Sequence, residues 1–124
     1  MTAPTLVNVE HDTHLTTEEI KGLSSNDVEN LLGFSCTIEE SGPHLHSFYQ
    51  TNARRISDQS PTAVTGGFWT KVGEVAAILK DADSWPFPPL MVRGNVLYDG
   101  HHRANAAIRA GWDKEIPVTT MWCW

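Results

Sequence analysis

Between Leu90 and Val118 the chain carries a block whose punctuation leaves few folds open. Leu90-Met91-Val92 and Val96-Leu97-Tyr98 are apolar triplets separated by Arg93 and a Gly94-Asn95 pair, the pattern of two antiparallel strands joined by a tight turn. The second triplet ends at Asp99-Gly100. Ala104, Ala107 and Ile108 then keep helical spacing up to Gly111, a residue suited to the left-handed position after a helix, and Ile116-Pro117-Val118 opens a last strand. The order is strand, turn, strand, helix, strand, and an α+β fold is expected, a small mixed sheet flanked by helices.

The passage from strand to helix at Asp99-Gly100-His101-His102-Arg103 is where chemistry is expected. A helix begins with backbone N–H groups that have no partner within it, and its dipole places positive charge at that end, so a phosphate is attracted there. Gly100 lets an anion approach the backbone closely, and Arg103 can add a charge-assisted fork. Asp99, at the strand end, suits either Mg²⁺ coordination or proton acceptance from an attacking hydroxyl; capping the helix is the plainer use of such an aspartate. Of the two histidines, one is expected to bond a phosphate or substrate and the other to pack under the turn. Adjacent helical residues point about 100° apart and so rarely share a metal ion.

Pro89-Leu90-Met91-Val92, Val96 to Arg103, Ala106-Ala107, Gly111 and Ile116-Pro117-Val118 together resemble, in order and spacing, the ParB/sulfiredoxin-like superfamily. That superfamily includes nucleotide-binding partition proteins, sulfiredoxin, and small-molecule kinases such as free serine kinase. The resemblance implies a nucleotide site at Gly100, His101, His102 and Arg103, with Asp99 near magnesium, and Mg²⁺ with ATP or CTP as the cofactor. The wording Asp-Gly-His-His-Arg is most similar to the kinase-like members. It implies a nucleotide-dependent phosphotransferase or NTPase using Asp99, His102 and an acid near the first strand, Glu10 or Asp12, on a small hydroxylated metabolite. Sulfiredoxins carry their cysteine where this chain has His101, so that chemistry is not expected. Partition proteins resemble only this half, and no DNA-binding helical domain is expected after Trp124. Two other classes fit the same residues: a nucleotide-sensing module without turnover, and an interaction or inhibitor protein from a mobile element that retains the fold.

The remainder of the chain reads as the rest of one domain spanning residues 1–124. Thr5 to Val9 is expected to be a strand. Thr16 and Glu19 form a capping-box pair for a short helix to about Leu23. Ser24 or Ser25 can cap a second helix with Val28, Leu31 and Leu32 on one face and Gly33 as its stop. From Phe34 the pattern is weaker, and alternation around Leu45, Ser47 and Tyr49 allows a strand on which His44 and His46 would share a face. Residues 50–67, rich in Thr, Ser, Asn, Asp and Gly, read as a long loop that includes Arg54-Arg55. Thr70 is expected to cap a third helix, with Val72, Val75, Ala76 and Leu79 inward, to about Lys80.

Charge narrows the partners. The formal net charge is −6, with 9 basic against 15 acidic residues, and no basic run exceeds Arg54-Arg55. Duplex DNA is not an expected partner, since non-specific affinity for it comes from clustered cations. Cys36 and Cys123 stand alone and read as free thiols. No apolar stretch approaches the roughly 18 residues needed to span a bilayer, and a cytoplasmic location is expected. Trp112, Trp122 and Trp124 form an apolar end that should be docked on the core or used in a homodimer.

Overall fold

A computed structural model of the chain describes residues 12–51 and 67–120. The elements among them are β1 (Thr13–Leu15), α1 (Thr17–Lys21), β2 (Ser24–Ser25), α2 (Asn26–Leu32), α3 (Ile38–Thr51), α4 (Phe68–Lys80), β3 (Leu90–Arg93), β4 (Val96–Asp99), α5 (His101–Ala110) and β5 (Ile116–Thr119). The protein is a small mixed α/β domain with a five-stranded sheet and, among the described residues, five helices. Strand order is β1-β5-β3-β4-β2. β3 sits at the centre, antiparallel to β4 and parallel to β5. β1 closes one edge antiparallel to β5, and β2 closes the other parallel to β4.

The termini of the elements follow the local chemistry of the chain. Thr16 caps α1 through a complete capping box, its hydroxyl accepting from the Glu19 amide while Glu19 reaches back to the Thr16 amide at 2.9 Å. Ser25 caps α2 by accepting from the Val28 amide at 3.1 Å, and Gly33 stops that helix with φ at 81°. Gly111 ends α5 in the same left-handed geometry, φ 65°.

The core is made where the sheet meets α4 and α5. Leu90, Val92, Leu97, Ile116 and Val118 supply the sheet side, and Phe68, Val72, Val75, Ala76 and Leu79 the α4 side; all are buried. The fully buried apolar residues of α5 are all small, Ala104, Ala106 and Ala107, with Ile108 packed at the margin of the core. The Thr17 hydroxyl donates to the Trp112 carbonyl at 2.6 Å, tying α1 to the end of α5.

Several expectations are corrected. Residues around Leu45, Ser47 and Tyr49 lie in α3, a 14-residue helix, not in a strand. The misreading has a cause: Gly42-Pro43 sits inside the helix, and both residues disfavour a helix interior, the proline by removing a backbone donor, so the local signal pointed away from the helix that forms. His44 and His46 therefore do not share a face. Two helical positions apart they point about 200° from one another, and His44 meets Phe34 while His46 lies near Trp69. Helix α4 starts at Phe68 with Gly67 at its N-cap and no side-chain cap, so Thr70 is inside the helix. α1 stops at Lys21 and not at Leu23. The proposed strand Thr5 to Val9, Glu10, Arg54, Arg55, Trp122, Cys123, Trp124 and most of the expected loop 50–67 lie outside the described residues.

Candidate functional site

The site is built by the end of β4. Register along the β3–β4 pair runs from Val92 opposite Leu97 to Met91 opposite Asp99, so Tyr98 is an extra residue, a bulge that bends the strand and re-aims the residues after it. Gly100 comes next with φ 103°, a conformation that side chains other than glycine's resist. A Cβ there would stand 2.5 Å from Leu90 Cδ2 and 3.1 Å from Arg103 Nη2. Helix α5 starts at once, and no side chain caps it.

Arg103 is held in place by the protein. Its Nη1 donates to the Pro88 carbonyl at 2.6 Å and to the Pro89 carbonyl at 3.3 Å, and its Nη2 to Asp99 Oδ2 at 3.4 Å. The guanidinium thus joins the extended Pro88-Pro89 segment to the strand end and remains beside the turn. Asp99 is open to solvent, its side chain 62% exposed.

His102 packs its ring against Phe68 with centroids 4.7 Å apart. Burial, and then the charges of Lys71 and Arg103, hold its imidazole down to a pKa of about 4. Two cations therefore stand near this turn, one of them from the first turn of α4. His101 is the histidine that packs beneath. It is 3% exposed; Nε2 lies 2.8 Å from Ser25 Oγ, and Nδ1 lies 3.2 Å from Asp27 Oδ2. Burial, then the neighbouring His102, lowers its pKa to about 3, so the ring is neutral. Its ring nitrogens face inward, which leaves the backbone amide as its means of meeting an anion.

Asp27 is a residue the sequence reading missed. It sits in the first turn of α2, and burial followed by the charge on Asp99 raises its carboxyl to about 6. Tyr49, half-buried on α3, is raised by burial and by the charge on Asp27. Asp27, whose carboxyl lies 3.2 Å from His101 at the first residue of α5, and Asp99, two residues before it, are thus a pair of carboxylates beside an uncapped helix start, close enough for the charge of one to act on the other. Only the pairing of β2 with β4 brings Asp27 here, and no spacing in the sequence announces it. Lys71 was missed for the same reason.

Other expected residues fall elsewhere. Asp12 accepts from the Thr119 hydroxyl at 2.7 Å and so fastens the end of β5. Trp112 is docked, 6% exposed, with Trp85 against it at 5.8 Å between centroids. Cys36 is a free thiol whose pKa burial raises. No helix among the described residues is long and apolar enough to cross a membrane. No cluster of three or more His, Cys, Asp or Glu side chains among them has the arrangement of a metal site.

The fold and site define a small mixed α/β domain that presents two carboxylates at an uncapped helix N-terminus. The whole chain, residues 1–124, matches the family described as Mycobacterium phage L5 gene 81 protein, and it belongs to that family. The Gene 81 protein of Mycobacterium phage L5 is similar at 48% identity over 106 residues, which cover 84% of this chain and 93% of that protein. No solved structure matches.

Proposed function

We propose that this protein is a ParB/sulfiredoxin-like domain that binds the phosphates of ATP or CTP at the start of α5 and transfers or hydrolyses the terminal phosphoryl group. The observation that carries this reading is the Asp27–Asp99 carboxylate pair beside the uncapped first turn at Gly100. An anion placed at that turn meets backbone donors and the positive end of a ten-residue helix. Lys71 and Arg103 add positive charge against it.

The donor set fits Mg²⁺. That ion takes oxygen ligands and is commonly held by one or two carboxylates together with substrate phosphates, so Asp99, the exposed carboxylate of the two, would suit it without a further protein ligand. Bound with the nucleotide, it would offset charge developing on the phosphates. The remaining chemistry belongs to the chain. Asp27, with a carboxyl pKa near 6, is matched to accept a proton near neutral pH. As the hydroxyl oxygen of a small metabolite or of water forms its bond to the γ-phosphorus, the bond from that phosphorus to the β-phosphate oxygen breaks. The hydroxyl proton passes to the carboxylate, and the nucleoside diphosphate leaves. A cytoplasmic setting, where both nucleotides are abundant, belongs to the same reading.

A turnover assay with ATP and CTP, with Mg²⁺, against a panel of small hydroxylated metabolites tests it. Asp99→Asn and Asp27→Asn are expected to keep the fold and most nucleotide affinity while turnover falls by about two orders of magnitude or more. Equal turnover in wild type and both variants would remove the pair from the chemistry. A second reading, a nucleotide-sensing or interaction module without turnover, is favoured by one observation: the Arg103 guanidinium already donates to the Pro88 and Pro89 carbonyls. Nucleotide binding with no turnover would support the sensing form. A melting temperature unmoved by any nucleotide would support an interaction protein.

A further inference from the structure

Helix α5 carries a buried amide whose donors are satisfied and whose acceptor is not. Asn105 is 5% exposed. Its Nδ2 donates to Ser41 Oγ at 3.3 Å and to the His101 carbonyl at 3.0 Å, and the Ser41 hydroxyl gives its own hydrogen to the Ile38 carbonyl at 2.7 Å. Both partners of the amide are therefore acceptors, which fixes its orientation: turned over, it would set oxygen against oxygen. Oδ1 is left with no hydrogen-bond partner among the described residues. Buried acceptors are seldom left in that condition.

That residue lines a cleft of about 390 Å³ between α3, α4 and α5, together with Glu39, Trp69, Ile108 and Arg109. A Cβ at Gly42 would stand 2.8 Å from Trp69 Cζ2 and 3.1 Å from Asn105 Oδ1. The indole edge and the free oxygen thus approach one point on α3, and the lack of a side chain there leaves room for both. Arg109, four residues after Asn105 and so on the same face of α5, has Cζ 5.7 Å from the Trp69 ring centroid. Its Nη1 makes a long bond of 3.4 Å to the Trp69 carbonyl, and its other guanidinium donors have no partner among the described residues. Glu39 and Arg109 are exposed, so the charges stand at the rim and the amide, the indole and Ile108 form the floor.

We propose that this cleft is a second ligand site, for a flat heterocycle that carries an amino group beside a ring nitrogen, the edge that adenine and cytosine present. The amino group donates to Asn105 Oδ1, the neighbouring ring nitrogen accepts from Arg109, and the ring lies against Trp69 and Ile108. Asparagine and arginine are side chains that commonly read base edges, and bases commonly rest on aromatic and guanidinium surfaces. A few placed polar groups in an otherwise apolar cleft are the usual make-up of a small-molecule site. A cationic ligand suits it less, because Arg109 would repel it and Glu39 already has Lys21 Nζ at 3.9 Å. Two sources supply such a base, a free nucleoside and a single strand, and the net charge of −6 favours the first. No residue lining the cleft belongs to the turn at Asp99 to Arg103, so the assignment goes beyond the phosphotransfer reading and does not depend on it.

Adenosine and purine riboside, the same molecule without the amino group, test this by NMR titration of nitrogen-15-labelled protein. Adenosine is expected to shift the Trp69 indole and Asn105 side-chain amide signals and to leave the Gly100 backbone amide unmoved. Purine riboside should bind at least about 10-fold more weakly, since a site built around a hydrogen bond rejects an analogue that lacks it. Arg109→Met, a change at an exposed residue, should weaken adenosine by a similar factor. Equal affinity for the two nucleosides would overturn the proposal, as would shifts concentrated at Gly100 to Arg103 or no binding at millimolar adenosine. A short oligoadenylate that moves the same two signals and binds more tightly than adenosine would support the base site and assign its source to a strand. None of these readouts needs turnover, so a failure of the phosphotransfer reading leaves the proposal intact. A protein that turns over nucleotide but whose Trp69 and Asn105 signals ignore adenosine keeps that reading and loses this one.

Discussion

Ser25 and His101, 76 residues apart in sequence, place an oxygen and a ring nitrogen 2.8 Å from each other in the interior. The contact joins the N-terminus of α2 to the N-terminus of α5, and both helix starts border the same turn. Ser25 serves two purposes there, as an acceptor for the Val28 amide and as a partner for the imidazole. Ser25→Ala should therefore cost about 2–4 kcal/mol, above the roughly 1 kcal/mol typical of losing a cap alone, because a buried imidazole nitrogen is also left without a partner. Urea unfolding of the two proteins measures this. A loss no larger than that of Thr16→Ala, which removes an exposed cap, would show that the buried contact contributes nothing.

Gly100 is expected to be the least replaceable glycine of those with positive φ. Gly33 and Gly111 share the left-handed geometry but have open space where a Cβ would stand, whereas at Gly100 the Cβ would meet Leu90 and Arg103. Gly33→Ala should cost about 1 kcal/mol from backbone strain alone. Gly100→Ala should cost about 1–3 kcal/mol more, as overpacking does in a filled site. Comparable midpoints of denaturation for the two variants would contradict the close packing of the turn.

Stability should fall on acidification below about pH 6.5. His101 and His102 are held to about 3 and about 4 in the folded protein, against an ordinary histidine value near 6.5. The unfolded chain therefore binds more protons over that window, and their contribution is complete above pH 6.5 and lost as pH falls toward 3. Asp27 acts in the opposite sense. Its carboxyl is raised to about 6, so its contribution is complete below the unfolded value near 4 and lost as pH rises through 6. At one unit for about 1.4 kcal/mol, the two imidazoles together outweigh one carboxylate that is a third exposed and screened by solvent. Thermal melts from pH 7.5 to 4 should show a steady decline in Tm, shallower in His101→Asn. A Tm that rises over this range would mean that Asp27 dominates.

Tight binding to duplex DNA is not expected at physiological salt, given the net charge of −6. Of the arginines that could form a basic face, Arg93 donates to the Thr120 carbonyl and Arg109 to the Trp69 carbonyl, which draws them to the protein's own backbone. Arg54 and Arg55 lie outside the described residues. A sub-micromolar affinity that weakens steeply with added salt, measured by fluorescence anisotropy, would contradict this.

The local signals in the sequence were legible wherever one residue's chemistry settles the matter. The capping box at Thr16, the stops at Gly33 and Gly111, the hairpin at Gly94-Asn95 and the strand-to-helix break at Gly100 depend on near neighbours, and the structure has each of them. Where the signal was mixed, the reading failed. α3 carries a glycine and a proline inside it and alternates polar with apolar residues near its end, so its helical state depends on what Ile38, Ser41 and Leu45 bury against, all of which are shielded from solvent.

The sequence by itself determined the turn at Asp99 to Arg103, because glycine's backbone freedom and the start of a helix are properties of adjacent residues. Only the tertiary structure decided which groups face that turn. Asp27 and Ser25 arrive through the pairing of β2 with β4, Phe68 comes to His102 through α4, and the buried surroundings then move the Asp27 carboxyl and both imidazoles far from their ordinary values. Desolvation and the charge of a neighbour act through distance in space, and separation along the chain carries no record of either.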